Sequence, residues 1–244
     1  MNTKLASPHR ALIDAALTAL RDAAVPEDAA PMQRYMKSPL PFWGVKRPAR
    51  RAALRPVFRA HPLCTAAAWR ETVWTLFSKA THREGWYAAL DLLGHRPYDE
   101  WLDLGALSLC ERLIVSGAWW DVVDEVAIRR IGPILQRQPD AVTPVLRAWS
   151  KDADRWRRRA AIVAQNKRRE ETDLALLSDV IEANLDDPDF FIRKGIGWAL
   201  REKAYTHPDW VIAFVKGHRA RLSNLSRREA LRNLWKAGRG LALR

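Results

Sequence analysis

The segment Asp154-Arg-Trp-Arg-Arg-Arg-Ala-Ala161 returns as Asp189-Phe-Phe-Ile-Arg-Lys-Gly-Ile196, changed in letters but alike in character. Each run opens on an aspartate, continues with an aromatic, sets an arginine four residues after the aspartate and then a small residue. The spacing is 35 residues, and it links Arg158, Arg193 and Arg228, and likewise Ala160, Gly195 and Ala230. Asp154 with Asp189 and Trp156 with Phe191 keep the same period. Self-similarity at a fixed spacing of this size marks a repeat architecture, in which each unit buries its apolar face against the next.

The rest of the chain supports helices as the repeating material. Strand signals are nearly absent: there are few β-branched alternations, no Asn-Gly or Asp-Gly turns, and Ala, Leu, Arg and Trp recur at helical spacing. Pro31, Pro39, Pro41, Pro62, Pro97, Pro139, Pro188 and Pro208 fall between apolar-periodic segments and predict helix boundaries. The expectation is an all-α chain of about a dozen helices. The Asp, aromatic, Arg and small-residue pattern resembles the HEAT repeat, with a somewhat short period, so the predicted fold is a HEAT-like helical-repeat solenoid, a curved α-α superhelix. Residues 1–244 read as one domain, with 1–30 as an N-terminal helical cap and 239–244 as a flexible tail. Segments Trp69–His95 and Asp103–Pro139 have the length of helix pairs but match the repeat signature poorly.

Lys and Arg number 41 against 28 Asp and Glu, which gives a net charge of +13. Such an excess favours a polyanionic partner, because neutralising phosphates releases condensed counterions; a proteome of generally high pI is the plainer explanation. Hydrophobic content of 48% argues against global disorder. Cys64 and Cys110 are isolated and read as reduced core thiols. The six histidines are scattered, with no HxxxH or Cys/His cluster, so no metal site is expected. No apolar run is long enough to span a membrane. The stretch Pro8–Ala24 reads as an amphipathic helix, since Asp14, Arg21 and Asp22 interrupt it. A cytoplasmic monomer is the expectation.

Four stretches carry candidate chemistry. In Trp119-Trp120-Asp121-Val122-Val123-Asp124, a helix puts Trp120 and Asp124 on one face, an indole beside a carboxylate. That pair suits a substrate that is, or becomes, a cation. A solvated surface carboxylate is the ordinary alternative for Asp124. In the run Arg155-Trp-Arg-Arg-Arg159, the register makes Arg158 structural, like Arg193, and leaves Arg159 to project as a phosphate grip. In Gly195-Ile-Gly-Trp198, with Arg201 beyond, the glycines either let helices pack closely around a core tryptophan or leave a broad ring accessible. The basic, aromatic stretch Phe42-Trp43-Gly44-Val45-Lys46-Arg47-Pro48 is a nucleic-acid contact or an ordinary capped turn, and its charge favours contact through Trp43, Lys46 and Arg47. Gly44 allows close backbone approach and Pro48 suits a first helical turn.

Together, Phe42–Gly44 with Lys46 and Pro48, Trp119–Asp124, Trp156–Ile162, Phe190–Glu202 and Leu222–Leu231 resemble the DNA alkylation repair family, the HEAT-like-repeat DNA glycosylases of the AlkD type. The resemblance implies removal of N3- or N7-alkylated purines from duplex DNA, with no metal or organic cofactor. It implies Asp124 as the catalytic carboxylate, Trp120 and Trp198 as aromatic faces at the lesion, and Arg159 and Arg201 as phosphate contacts, all on one concave face. Two positions depart from the family's habit: Trp43, where relatives often have a smaller apolar residue, and Gly195, where alanine is common. The competing functional readings are a non-catalytic HEAT-like scaffold binding DNA or RNA, which has no need of Asp124 beside a tryptophan, and a protein–protein adaptor, whose groove would be less uniformly basic.

Overall fold

The structure, a computed structural model, describes residues 7–240 and residue 242. Among these there are fourteen α-helices and no strand, so the chain is an all-α, HEAT-like helical-repeat protein. Part of the cap 1–30 and most of the tail 239–244 anticipated from sequence lie outside the described residues. The chain divides into two compact units between Trp101 and Leu102.

The first unit holds α1 (Ser7–Asp22), α2 (Pro26–Met36), α3 (Arg47–Ala60), α4 (Ala66–Ser78) and α5 (Arg83–Leu93), followed by a 3-10 segment, Arg96–Trp101. The helix anticipated over Pro8–Ala24 is α1; Leu12, Ala16 and Leu20 recur every fourth residue and are fully buried. Helices α4 and α5 pack together around Trp69, Val73, Leu76 and Leu92. Two expectations need correction. Pro31 does not end a helix; it lies inside α2 with its ring exposed, and the helix stops only at Lys37, left-handed at φ 47°. A short helix whose proline faces water gives up one intrahelical hydrogen bond and continues. Cys64 is not a core thiol: it is exposed in the loop before α4, whereas Cys110 is buried, its thiol pushed up to about 12 by loss of solvent.

The second unit holds α6 (Leu107–Gly117), α7 (Trp120–Val126), α8 (Gly132–Arg137), α9 (Pro139–Trp149), α10 (Arg155–Val163), α11 (Leu174–Glu182), α12 (Phe190–Lys203), α13 (Pro208–Gly217) and α14 (Asn224–Lys236). Between α7 and α8 the helix widens into a π-helical segment, Ala127–Ile131. Pro133 just beyond it has no N–H to give and crowds the preceding turn, which accounts for the irregularity. The second helices of successive pairs, α7, α10, α12 and α14, pack one against the next, and the first helices α9 and α11 do likewise.

The repeated aspartates explain why α10 and α12 begin where they do. Asp154 caps α10 by accepting hydrogen bonds from the amides of Trp156 and Arg157, and Asp189 caps α12 through Phe191 and Ile192. Two residues earlier, Asp152 and Asp187 hold the caps' own amides at 2.7 and 2.8 Å. Arg158 and Arg193 each reach back six residues to the carbonyls of Asp152 and Asp187, 2.8 and 2.9 Å away. Both are structural, as the register predicted. The period is also written between repeats. Arg137 donates to the carbonyl of Leu102, Arg168 to that of Gly132, Asn184 to that of Ser150 and Lys203 to that of Arg169, across 34 to 36 residues. The repeat register is therefore already present at the start of the second unit, in a segment whose sequence had matched the signature poorly.

Candidate active site

Helix α7 opens at Trp119-Trp120, and the two indoles part company. Trp119, extended at φ −151° and ψ 147°, packs against Trp156 and Phe191, with ring centroids 6.1 and 5.3 Å away. These three rings join the starts of α7, α10 and α12. Trp120, the first helical residue, stays half-exposed, and Asp124 follows it on the same helix face.

Asp124 is buried, with 12% of its side chain accessible. It accepts two parallel hydrogen bonds from Arg159, Nε to Oδ1 at 2.8 Å and Nη2 to Oδ2 at 2.7 Å. Burial pushes the carboxyl above its ordinary range; Arg159 opposes that shift, and the nearby Asp121 adds to it. Arg159 itself does not project from the surface, which corrects the orientation expected for it. Its side chain is 5% accessible, and Nη1 donates to the carbonyl of Phe191 at 2.5 Å. A carboxylate one repeat back offers a planar fork a better partner than solvent does. Arg159 thus ties α7, α10 and α12 together through its head group.

The glycines of α12 are explained by packing. A Cβ at Gly195 would lie 3.2 Å from Arg159 Nη1, so this position leaves room for the guanidinium to cross α12. A Cβ at Gly197 would lie 2.5 Å from Glu229 Cβ and 2.9 Å from the Ser226 carbonyl, so this one admits α14. Trp198 is nevertheless not core. It is half-buried, its indole N–H donating to Glu202 at 3.4 Å. Arg201 donates to Glu229 at 2.5 Å. The five residues singled out from sequence therefore lie along one row of adjacent helices. Asp124 and Arg159 touch, while Trp198 and Arg201 lie further along α12, with Glu202 and Glu229 as their partners.

Sequence reasoning missed Lys194 and Glu229, although the signal was present. Asp124, Arg159, Lys194 and Glu229 are separated by successive steps of 35 residues. The structure pairs them, Asp124 with Arg159 and Lys194 with Glu229 at 3.1 Å. Down one register position of the repeat the charges run negative, positive, positive, negative, so each pair is opposite in sign.

In the first unit, Trp43 stacks on His82, centroids 4.2 Å apart, and Lys46 and Arg47 are exposed at the start of α3. Lys46 pairs with Asp28 at 2.6 Å. The turn is built by the fully buried Glu84, which accepts the amides of Trp43, Gly44 and Val45 at 2.9 to 3.0 Å. Gly44 sits at φ +85°, where a Cβ would strike the Val25 carbonyl at 2.0 Å. Glu84 lies some forty residues downstream, and nothing near it in sequence announces the partnership. Among the described residues no group of three or more His, Cys, Asp or Glu side chains is placed to hold a metal ion, and no helix is long and apolar enough to cross a membrane.

A search of curated proteins finds no match. Among solved structures, one described as a predicted DNA alkylation repair enzyme from Enterococcus faecalis is 28% identical, with a TM-score of 0.77 over 87% of this chain and 97% of that one. A second, the Pseudomonas fluorescens alkylpurine DNA glycosylase AlkC bound to DNA containing an abasic-site analogue, is 18% identical, with a TM-score of 0.55 over 97% of this chain and 65% of that one. At that identity it speaks for the fold alone. The sequence profile described as DNA alkylation repair enzyme matches residues 16–234, nearly the whole length. The chain belongs to the DNA alkylation repair enzyme family.

Proposed function

We propose that this chain is a monofunctional DNA glycosylase that hydrolyses the N-glycosidic bond of cationic N3- or N7-alkylated purines in duplex DNA. The observation that carries the reading is Asp124, a carboxylate with raised affinity for protons, fixed by a bidentate arginine one turn beyond a half-exposed tryptophan in a chain of net charge +13. A residue serving only as a salt-bridge partner would not need Trp120 open beside it.

The chemistry follows from charge. Alkylation at N3 or N7 makes the purine cationic and a good leaving group. As the glycosidic bond breaks, positive charge moves onto the sugar. A fixed carboxylate opposes that developing charge and can orient or deprotonate the attacking water. Its elevated proton affinity makes it, when ionised, a better base than an exposed aspartate, and Arg159 opposes its protonation and aims it. The indole faces of Trp120 and Trp198 favour a cation by about 0.5–2 kcal/mol per contact. Arg201, with Trp43, Lys46 and Arg47, contacts the DNA backbone, while Arg159 acts chiefly through Asp124. No cofactor is required by these steps.

The test is single-turnover incubation with duplex DNA carrying 7-methylguanine or 3-methyladenine. Free methylated base and an intact abasic strand are the expected products. Binding without any base release at saturating protein would instead support a non-catalytic scaffold.

A further inference from the structure

Glu229 is 11% accessible at its side chain and gathers three cations from two helices. Lys194 lies 3.1 Å away and Arg201 2.5 Å away, both on α12, and Arg232 lies 2.6 Å away on α14. Burial works against the charge on Glu229, but hydrogen bonds from Arg232 and Lys194 and the charges of Arg201 and Lys194 outweigh it, so its carboxyl is held below the ordinary range. The carboxylate is therefore ionised at neutral pH. Three cations against one anion leave the cluster at +2. The cations stay partly open, at 40% for Lys194, 22% for Arg201 and 49% for Arg232, while the carboxylate between them is covered. An arrangement that only stapled α12 to α14 would need one cation for one carboxylate.

Position in the repeat places the cluster. Lys194 and Glu229 occupy in their repeats the site that Asp124 and Arg159 occupy in theirs. Lys194, Trp198 and Arg201 stand at i, i+4 and i+7, one stripe of α12. The cluster therefore continues the row that carries the candidate carboxylate.

We infer that Lys194, Arg201 and Arg232, collected on Glu229, form a phosphate clamp for the DNA backbone two repeats from Asp124. This rests on the reading of the chain as a DNA-acting enzyme. Glu229 does two things in it: it holds three flexible side chains in one place, and it cancels one of their charges, setting how many phosphates the cluster neutralises. Lys194 and Arg232 are DNA contacts by this assignment, and Glu229 is a positioning residue.

The experiment is the salt dependence of binding to plain duplex DNA. The slope of log affinity against log salt changes by about 0.9 for each phosphate neutralised on B-DNA. Lys194→Met and Arg232→Met should each flatten the slope by about that amount, while Lys194→Arg should keep it. In the double variant Arg201 and Glu229 cancel and the cluster is neutral. Adding Glu229→Gln there should restore one uncompensated cation and recover about 0.9 of slope. A purely structural role gives no such recovery, and thermal unfolding of each variant confirms that the slopes are read on folded protein. Unchanged slopes in both single variants, or no recovery in the triple variant, would overturn the clamp. If the intact protein binds duplex and releases base while the clamp fails, the proposed function stands without it; if the intact protein does not bind duplex at all, that function fails first.

Discussion

In the proposed mechanism Asp124 and Arg159 form the pair on which the chemistry turns, and in the structure each protects the other from the cost of burial. Removing one partner of a buried bidentate pair strands the other, typically at about 3–5 kcal/mol. Arg159→Ala should therefore lower stability by that order, measurable by denaturant unfolding, and should slow base release more than it weakens binding to plain duplex. Arg159→Lys should recover part of the stability but little of the rate, because an ammonium cannot present the planar fork that aims both carboxylate oxygens. The raised proton affinity of Asp124 has a kinetic consequence of definite sign. The group acts as a base only when ionised, so the release rate should fall as pH drops through a value above the ordinary carboxylate range. The groups bearing on that value are Arg159, which opposes it, and Asp121, which adds to it. A pH–rate profile at saturating protein whose acid limb lay at or below the ordinary aspartate range would contradict the assignment.

At the scale of the element, α12 shows how a helix spends its glycines. Gly197→Ala would drive a methyl against the Glu229 side chain and the Ser226 backbone, and backbone cannot step aside. A destabilisation of about 1–3 kcal/mol is expected. At Gly195 the nearest obstacle is Arg159 Nη1, 3.2 Å away and held by Asp124 and Phe191, so a methyl there is crowded but meets no backbone. Alanine there gains helix propensity of about 1 kcal/mol to set against that crowding, so Gly195→Ala should cost less than Gly197→Ala. Unfolding midpoints of the two variants differing in the opposite order would show that the packing account is wrong. These elements also show what was legible beforehand. The 35-residue spacing, the aspartates that cap α10 and α12, and the structural arginines Arg158 and Arg193 could all be read in advance, because caps and inter-repeat bonds are local or periodic. Which way Arg159 would turn, and why Gly195 and Gly197 are glycines, depended on residues 29 to 36 positions away, and composition carries no trace of such contacts. Pro31 misled because a proline reads as a stop, whereas an exposed one in a short helix is only a missing bond.

For the whole molecule, the question is whether a basic helical-repeat chain of this family binds DNA or also acts on it. Charge and repeat pattern pointed towards a nucleic-acid partner, which remains part of the proposed function, and the register that joins Asp124 to Arg159 and Lys194 to Glu229 was in the sequence, though only the structure revealed it as a row of pairs. On the proposed function, binding and chemistry separate at Asp124. Asp124→Asn keeps the side chain's size and removes the charge that opposes a developing sugar cation, an interaction stronger in the transition state than in the ground state. The most direct measurement is single-turnover release of 7-methylguanine from duplex DNA by this variant and by the intact protein, both at saturating concentration and both verified as folded, with binding followed in parallel. The account predicts release slowed by at least about a hundredfold with duplex affinity retained or slightly increased. Equal release by the two proteins would remove Asp124 from the mechanism.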